Sequence, residues 1–550
     1  MTPFLHLSRG LRTLPLLPLL FAALTLSGCG GGDGDNTAAS PFTPTLTLTV
    51  SVQDIKTLRL SWTGTDLATG YRLFVEADNA AVRVAVATLP ASTTQHDLQV
   101  FLPDQVNARY TLQACNAAGC ADAATVNVDT ALLNSAVGYF KAALPGGHAG
   151  KSVALSGDGS TLAVGAYTDD HQVIDSGSVY IFSRGPAGWV QQALVKAATP
   201  AANDLFGTSV ALSSDGQRLL VGASGYASNR GAIFVFERIS GQWVQDWFQE
   251  DPYPWTAQDN WRKFGWALAL SGDGNTLVAG RDDDDVTAVV FTRDAGLWTS
   301  QAAIPTMAFY NGSAFALAGD GNTLVVGRRN AAIATGTAGV VDVYERVNSA
   351  WQLSTQLTAA NAGNGDGFGW SVALASDGQT IAVGAIFEDG DATGINGLDG
   401  NGSLNSGAVY VFARSAGTWS QQAYVKASNT GEFDWFGYAV SLSADGNTLA
   451  VTANDEDSSA QGLNGPQDNN AASASGAAYV FRRRGGEWHQ SRYIKATNTE
   501  STDRFGDGIA LSGDGQSLAV GSTSEDSAAT GIGGDQNDNS GGGSGAVYLY

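Results

Sequence analysis

Three acidic stretches of this chain of 550 residues bring together the oxygens that a hard cation would need. The first holds Glu388, Asp389 and Asp391, with Asn396 and Asp399 following. The second holds Asp455 and Asp457, then Asn464 and Asp468, and the third holds Glu525, Asp526, Asp535 and Asn537. Ca²⁺ takes about six to eight oxygen ligands, so carboxylates and amides returning on one Gly-rich loop are a candidate Ca²⁺ cage. The competing reading is an acidic loop held only by its Gly turns. No other cofactor is implied. A second group is aromatic: Tyr253, Trp255 and Trp261 follow Trp247 and Phe248 and are candidate contacts for a glycan or a protein, or else packing residues.

Catalytic constellations do not emerge. The five histidines, His6, His96, His148, His171 and His489, show no ligand spacing, and no Gly-x-Ser-x-Gly elbow occurs. Carboxylates abound, but no pair stands out as the acid and base of a glycosidase. The chain is therefore read as a binding protein and not an enzyme. A carbohydrate-active propeller and a purely structural envelope protein are the alternatives.

The elements that position these residues come from repetition. Phe436 to Val451 reads as two short apolar strands joined at Asp445-Gly446, a dipeptide whose tolerance of positive φ suits a tight turn. Copies fall at Asp158, Asp215, Asp273, Asp320, Asp377 and Asp514, with successive separations of 57, 58, 47, 57, 68 and 69 residues. A period of this size means a solenoid, a propeller or an array. Each repeat adds a Gly-apolar-aromatic strand, such as Gly407 to Phe412, and a Trp-led strand, such as Trp419 to Ala427. Four antiparallel strands per repeat make one propeller blade, and seven repeats make seven blades.

The formal charge of −23 argues against nucleic acid, whose phosphates are held by clustered Lys and Arg. Arg9 and Arg12 precede an apolar run from Leu14 to Leu24, too short to span a bilayer comfortably. Leu26-Ser27-Gly28-Cys29 then resembles the bacterial lipobox, which implies a signal peptide over 1–28 and lipidation of Cys29. Residues 29–44 read as the lipidated cysteine and a Gly-rich tether. Gly30 after the cysteine implies sorting to the outer membrane, so the body is expected outside the cytoplasm, membrane-held by its lipid. The remaining pair, Cys115 and Cys120, is an even number in an exported chain and points to a disulfide.

Residues 45–130 alternate as short strands. Trp62, Tyr71-Arg72-Leu73 and Tyr110 to Asn116 resemble a fibronectin type III domain, in which these aromatics are core residues. From 136 to 550 the chain resembles FG-GAP repeats, the units of the integrin α propeller. Phe206-Gly207, Phe264-Gly265, Phe368-Gly369, Phe436-Gly437 and Phe505-Gly506 supply the FG element, and Val164-Gly165-Ala166 and its kin the second element. Repeat one has His148-Ala149-Gly150 instead and repeat four Tyr310-Asn311-Gly312, which marks both as candidates for distortion. Family members that bind Ca²⁺ carry an Asp-rich loop where this chain has only Ser-Gly-Asp-Gly-Asn-Thr, as at Ser271 to Thr276, so these Asp residues are read as turn formers.

The expected architecture is therefore all-β: a seven-bladed β-propeller of four-stranded blades, preceded by a small fibronectin type III-like sandwich. The long loops 386–406, 454–475 and 522–544 share one face with the blade-to-blade connections, and the Asp-Gly turns lie on the other. The last repeat lacks a fourth strand. Val137 to Ala142 has the aromatic-apolar-Lys-Ala order of the missing strand and is expected to pair near 545–550, closing the ring and covering an open edge.

Overall fold

The computed structural model describes residues 44–78, 82–170, 173–253, 263–281, 287–305, 314–334, 336–398 and 400–550. The signal peptide, Cys29, the tether to residue 43, Trp255, Trp261 and Asp399 lie outside them, as do His171 and Tyr310 to Gly312.

The described chain is all-β apart from short helical turns. Leu48–Asp54, Thr57–Trp62 and Gln95–Gln99 form one sheet; Val84–Pro90, Gly70–Glu76, Arg109–Asn116 and Gly119–Asn127 form a second. Their facing sides bury Leu58, Leu60, Trp62, Tyr71, Leu73, Tyr110 and Leu112, the alternation that half-buried strands require. Cys115 and Cys120 stand directly opposite each other across the last hairpin and are disulfide-bonded.

Beyond Thr130–Ser135, a helical turn capped by the Asp129 side chain, come seven sheets in chain order. Six are four-stranded and antiparallel in simple sequence order. The fifth is representative: Ser371–Leu374, Thr380–Ala385, Ala408–Ser415 and Thr418–Val425. Repeats one and four are not distorted in this respect, since each has its four strands. In repeat one the Ala149–Gly545 bridge takes the place of the Phe206–Gly177 bridge of its neighbour. Ala149 thus occupies the phenylalanine position, and only side-chain bulk is missing.

The FG element is explained by packing. Phe206, Phe368, Phe436 and Phe505 are fully buried between successive sheets, each ring against aromatics of its own third strand, as Phe436 is against Tyr479 at 5.2 Å. The backbone of the phenylalanine lies against the glycine that opens the preceding sheet's third strand. A Cβ on Gly407 would collide with the Phe436 carbonyl, so this close approach admits glycine alone.

The Asp-Gly turns form a second, tighter set of contacts. In repeat one, Asp158 accepts the Ser156 hydroxyl at 2.7 Å and the Ser160 N–H at 2.9 Å, and the same pattern recurs at Asp445. Burial alone would raise the Asp158 and Asp445 carboxyls, yet these bonds hold both below the ordinary value. The aspartates are turn formers. Successive turns are also joined backbone to backbone: Gly157 to Ser214, Ser214 to Gly272, Asp273 to Gly319, Gly319 to Ser376, Asp377 to Ala444, and Ala444 to Gly513. Asp514 then donates to Gly157, and the circuit is complete. The first strands follow the same cycle, each neighbouring the next and Phe505–Leu511 neighbouring Ala149–Leu155.

The seventh sheet is composite. Gly138–Lys141 pairs antiparallel with Ala546–Leu549, Tyr139 opposite Tyr548, in the place of a fourth strand. The N-terminal unit packs beside it. Lys56 is buried and donates to the Gln516 carbonyl and the Ser517 hydroxyl, both at 2.5 Å, while Arg482 reaches Asp104 at 2.9 Å.

Candidate functional site

The long acidic loops are ordered by a motif that the sequence reading did not contain. Glu388 is buried and accepts the Lys426 ammonium at 2.8 Å and the Tyr424 hydroxyl at 2.8 Å, while Lys426 also donates to Ser406. Glu456 repeats this with Lys495, Tyr493 and Ser475, and Glu525 with Lys141, Tyr139 and Ser544. Next in each loop, Asp389, Asp457 and Asp526 accept the N–H of Asn405, Ala474 and Gly543, which clamps the two ends of the loop together.

The loops then turn back along their own sheets. Asn396 accepts the Tyr424 N–H and Asn464 that of Tyr493; both asparagines sit at positive φ. Ile395 bridges Val425, Leu463 bridges Ile494, and Gly531–Ile532 pairs with Phe140 and Lys141. Each loop therefore covers the outer edge of its sheet, where unpaired backbone groups would invite another strand. Asp391 and Asp468 stay exposed, Asp455 lies 3.7 Å from Arg504, and Asn537 donates its N–H to Asp535 in a local turn. Among the described residues no group of three or more His, Cys, Asp or Glu is arranged to hold a metal ion. The expected Ca²⁺ cage gains no support from Glu388, Glu456 and Glu525, whose oxygens are taken by lysine and tyrosine.

The aromatic connection is partly packing. Trp247 lies against Phe291 and Trp298 at 5.0 and 5.6 Å, and Phe248 against Phe234 at 4.8 Å. Tyr253 is covered by the Arg281 guanidinium, 4.4 Å from its ring centroid.

A cavity of about 550 Å³ lies instead where the first strands of all seven sheets converge. The residue after each FG glycine faces it: Lys151, Thr208 and Trp266 from the first three sheets, Trp370, Tyr438 and Asp507 from the last three. The strands hold these residues in register through the next residue along. The hydroxyls of Ser152, Ser209 and Ser371 donate to the glycine carbonyls of the following repeat, Gly207, Gly265 and Gly437.

Charge and aromatic surface meet in this mouth. Burial works against the charge on Lys151, but Tyr438, Asp507 and Tyr167 around it leave its pKa above the ordinary lysine value. Asp507 is fixed by the Asn454 amide at 2.8 Å and by the Thr523 hydroxyl. Arg329 lies 4.1 Å from the Trp370 ring centroid, and Trp370 stands 5.9 Å from Tyr438. Such a mixture of half-buried aromatic faces and a few convergent polar groups is how small-molecule sites are built. None of these residues was a sequence candidate. The signal was present, one position in every repeat, but it is visible only once the repeats are superposed on a common axis.

Fold and site together define an all-β chain of successive four-stranded antiparallel sheets whose first strands surround one cavity. The FG-GAP repeat matches four stretches, residues 145–182, 189–236, 351–412 and 419–481. No curated protein matches the sequence. Among solved structures, the β-propeller domain of Cps50 (Swd1) from Myceliophteria thermophila is similar at a TM-score of 0.43 and 12% identity, covering 75% of this chain and 98% of that one. A putative 6-phosphogluconolactonase from Bacteroides uniformis gives 0.42 and 12%, covering 78% and 98%. A chain of a mitotic checkpoint complex gives 0.39 and 14%, covering 72% and 88%. Likeness at this level says nothing of what this chain binds.

Proposed function

We propose that this is a lipid-anchored extracytoplasmic binding or adhesion protein, its seven sheets the blades of one closed propeller and residues 45–130 a fibronectin type III-like spacer. The observation that carries the reading is the axial mouth, where one residue from each of six described repeats converges on a cavity of about 550 Å³. A rigid scaffold presenting different residues on recurring strands is the arrangement on which binding sites are placed. The ligand is a protein or a glycan on another surface, and the lipid on Cys29 holds the protein at the outer membrane to meet it.

The test is adhesion of cells displaying the protein to surfaces coated with candidate glycans and proteins. Replacing Trp370 and Tyr438 together by Ala should abolish adhesion while the purified chain stays folded. Charge reversal at Asp215 and Asp377, on the turns of the opposite face, should leave it intact. The reverse pattern would place the site on the turn face.

A further inference from the structure

The connection entering the sixth sheet runs Gly431-Glu432-Phe433-Asp434-Trp435-Phe436. Its backbone is a repeat feature: the residues on either side of a buried aspartate both take positive φ. In the fifth repeat these positions are Gly365 and Gly367, which adopt that conformation without cost. In the second repeat they are Asn203 and Leu205 and in the seventh Thr502 and Arg504, all at positive φ, so what sets the sixth apart is that both are aromatic: Phe433 at φ 65° and Trp435 at φ 58°. A bulky side chain in the left-handed region is strained, so the two aromatics there are held by the repeat's backbone and not by their own preference.

Trp435 is linked to the mouth through Phe387. Trp435 stands 6.4 Å from Phe387, Phe387 stands 5.6 Å from Trp370, and Trp370 adjoins Tyr438. Phe433, at the outer end, is 47% exposed although nothing in the packing of the sheets calls for an aromatic there. The result is a band of four aromatic rings, Trp435, Phe387, Trp370 and Tyr438, that ends beside the Lys151 and Asp507 side chains, with exposed Phe433 two residues before its outer member.

We infer that this band is a carbohydrate platform, a reading that rests on the axial mouth being the binding site. A pyranose ring has one face of C–H bonds and an edge of hydroxyls. The first suits half-exposed aromatic rings; the second suits a neighbouring ammonium and carboxylate that can donate and accept. A peptide-binding groove would need an unpaired strand edge or a continuous apolar trough. Here the outer sheet edge is already covered by the loop residues around Ile395.

The experiment uses the whole mature chain on an array of gluco-, galacto-, N-acetylglucosamine and uronate oligosaccharides, followed by calorimetric titration with the best binder. Trp370→Ala should weaken that binder at least tenfold. Phe433→Gly is the sharper variant: it should leave the melting temperature unchanged or raised, because the strain is relieved, while weakening the sugar about fivefold or more. Sugar binding indifferent to both variants would overturn the platform and leave the sugar elsewhere on the chain. No sugar bound by a folded chain, with a protein ligand lost in Trp370→Ala, would also overturn it while sparing the mouth as a binding site. A fall in melting temperature for Phe433→Gly with affinity unchanged would make the aromatic structural and sink the inference.

Discussion

Lys141 and Glu525, 384 positions apart, form a fully buried ion pair at 2.5 Å. The lysine comes from the strand that precedes the first repeat, the glutamate from the long loop of the last. Lys426 with Glu388 and Lys495 with Glu456 make the same pair inside single repeats, so the first strand completes the last repeat in side-chain chemistry as well as in backbone pairing.

These pairs set the first prediction. Removing one partner strands a buried charge, which typically costs about 3–5 kcal/mol. Lys426→Met and Glu388→Gln should each lower the chemical-denaturation midpoint strongly, and the double variant should recover part of the loss. Calorimetric titration with Ca²⁺ and a melting scan in EDTA test the remaining oxygens of these loops; no heat and an unchanged midpoint would remove the cation.

Closure supplies the second. Deleting 136–142 removes a paired strand, Tyr139, Phe140 and one member of an ion pair, whereas deleting 30–43 removes none of the described contacts. The first deletion should give a chain that aggregates or unfolds early in a thermal scan. The second should melt with the parent; equal behaviour of the two would count against closure.

Acid dependence follows from two buried carboxyls. Burial, with Glu456 nearby, pushes Asp434 up to about 7, and burial, partly offset by the Glu500 N–H, pushes Asp503 up to about 7. An unfolded aspartate titrates near about 4, so between these values the folded chain binds more protons than the unfolded one. Their stabilisation is full below about pH 4 and is lost as pH rises through about 7. Denaturation midpoints measured from pH 5 to 8 should decline for the parent, and Asp434→Asn should flatten that decline.

The anchor is tested by fractionation. Cys29→Ser should release the protein from the membrane fraction or stall its maturation. A variant that matures and partitions like the parent would remove the lipid from the account.

Much of the fold was legible because its determinants are local. An Asp-Gly turn needs only its own serine and backbone, and an FG element only a glycine of the preceding repeat, so the two recur within and between successive repeats. The site was not legible for the converse reason. Lys151 and Asp507 gain their meaning from each other across some 350 positions of sequence, and Glu388 from Lys426 38 positions on, reached through two strands and the turn between them. Read along the chain, Glu388 is one oxygen among many in an acidic loop; in space it is a lysine's partner. Nothing in the residue pattern sets Phe433 and Trp435 apart, and only their positive φ values expose the strain.

The pairing of Tyr139 with Tyr548 also sets a clock. A strand made early must wait for roughly 400 further residues before its partner exists, an interval of about 20–80 s at ordinary rates of synthesis. Throughout that time its aromatic side chains and the ammonium of Lys141 have no destination, and the circuit of turns lacks its last link. Folding of the ring is therefore gated by the arrival of its final repeat, and a chain truncated within that repeat would remain permanently at the waiting stage.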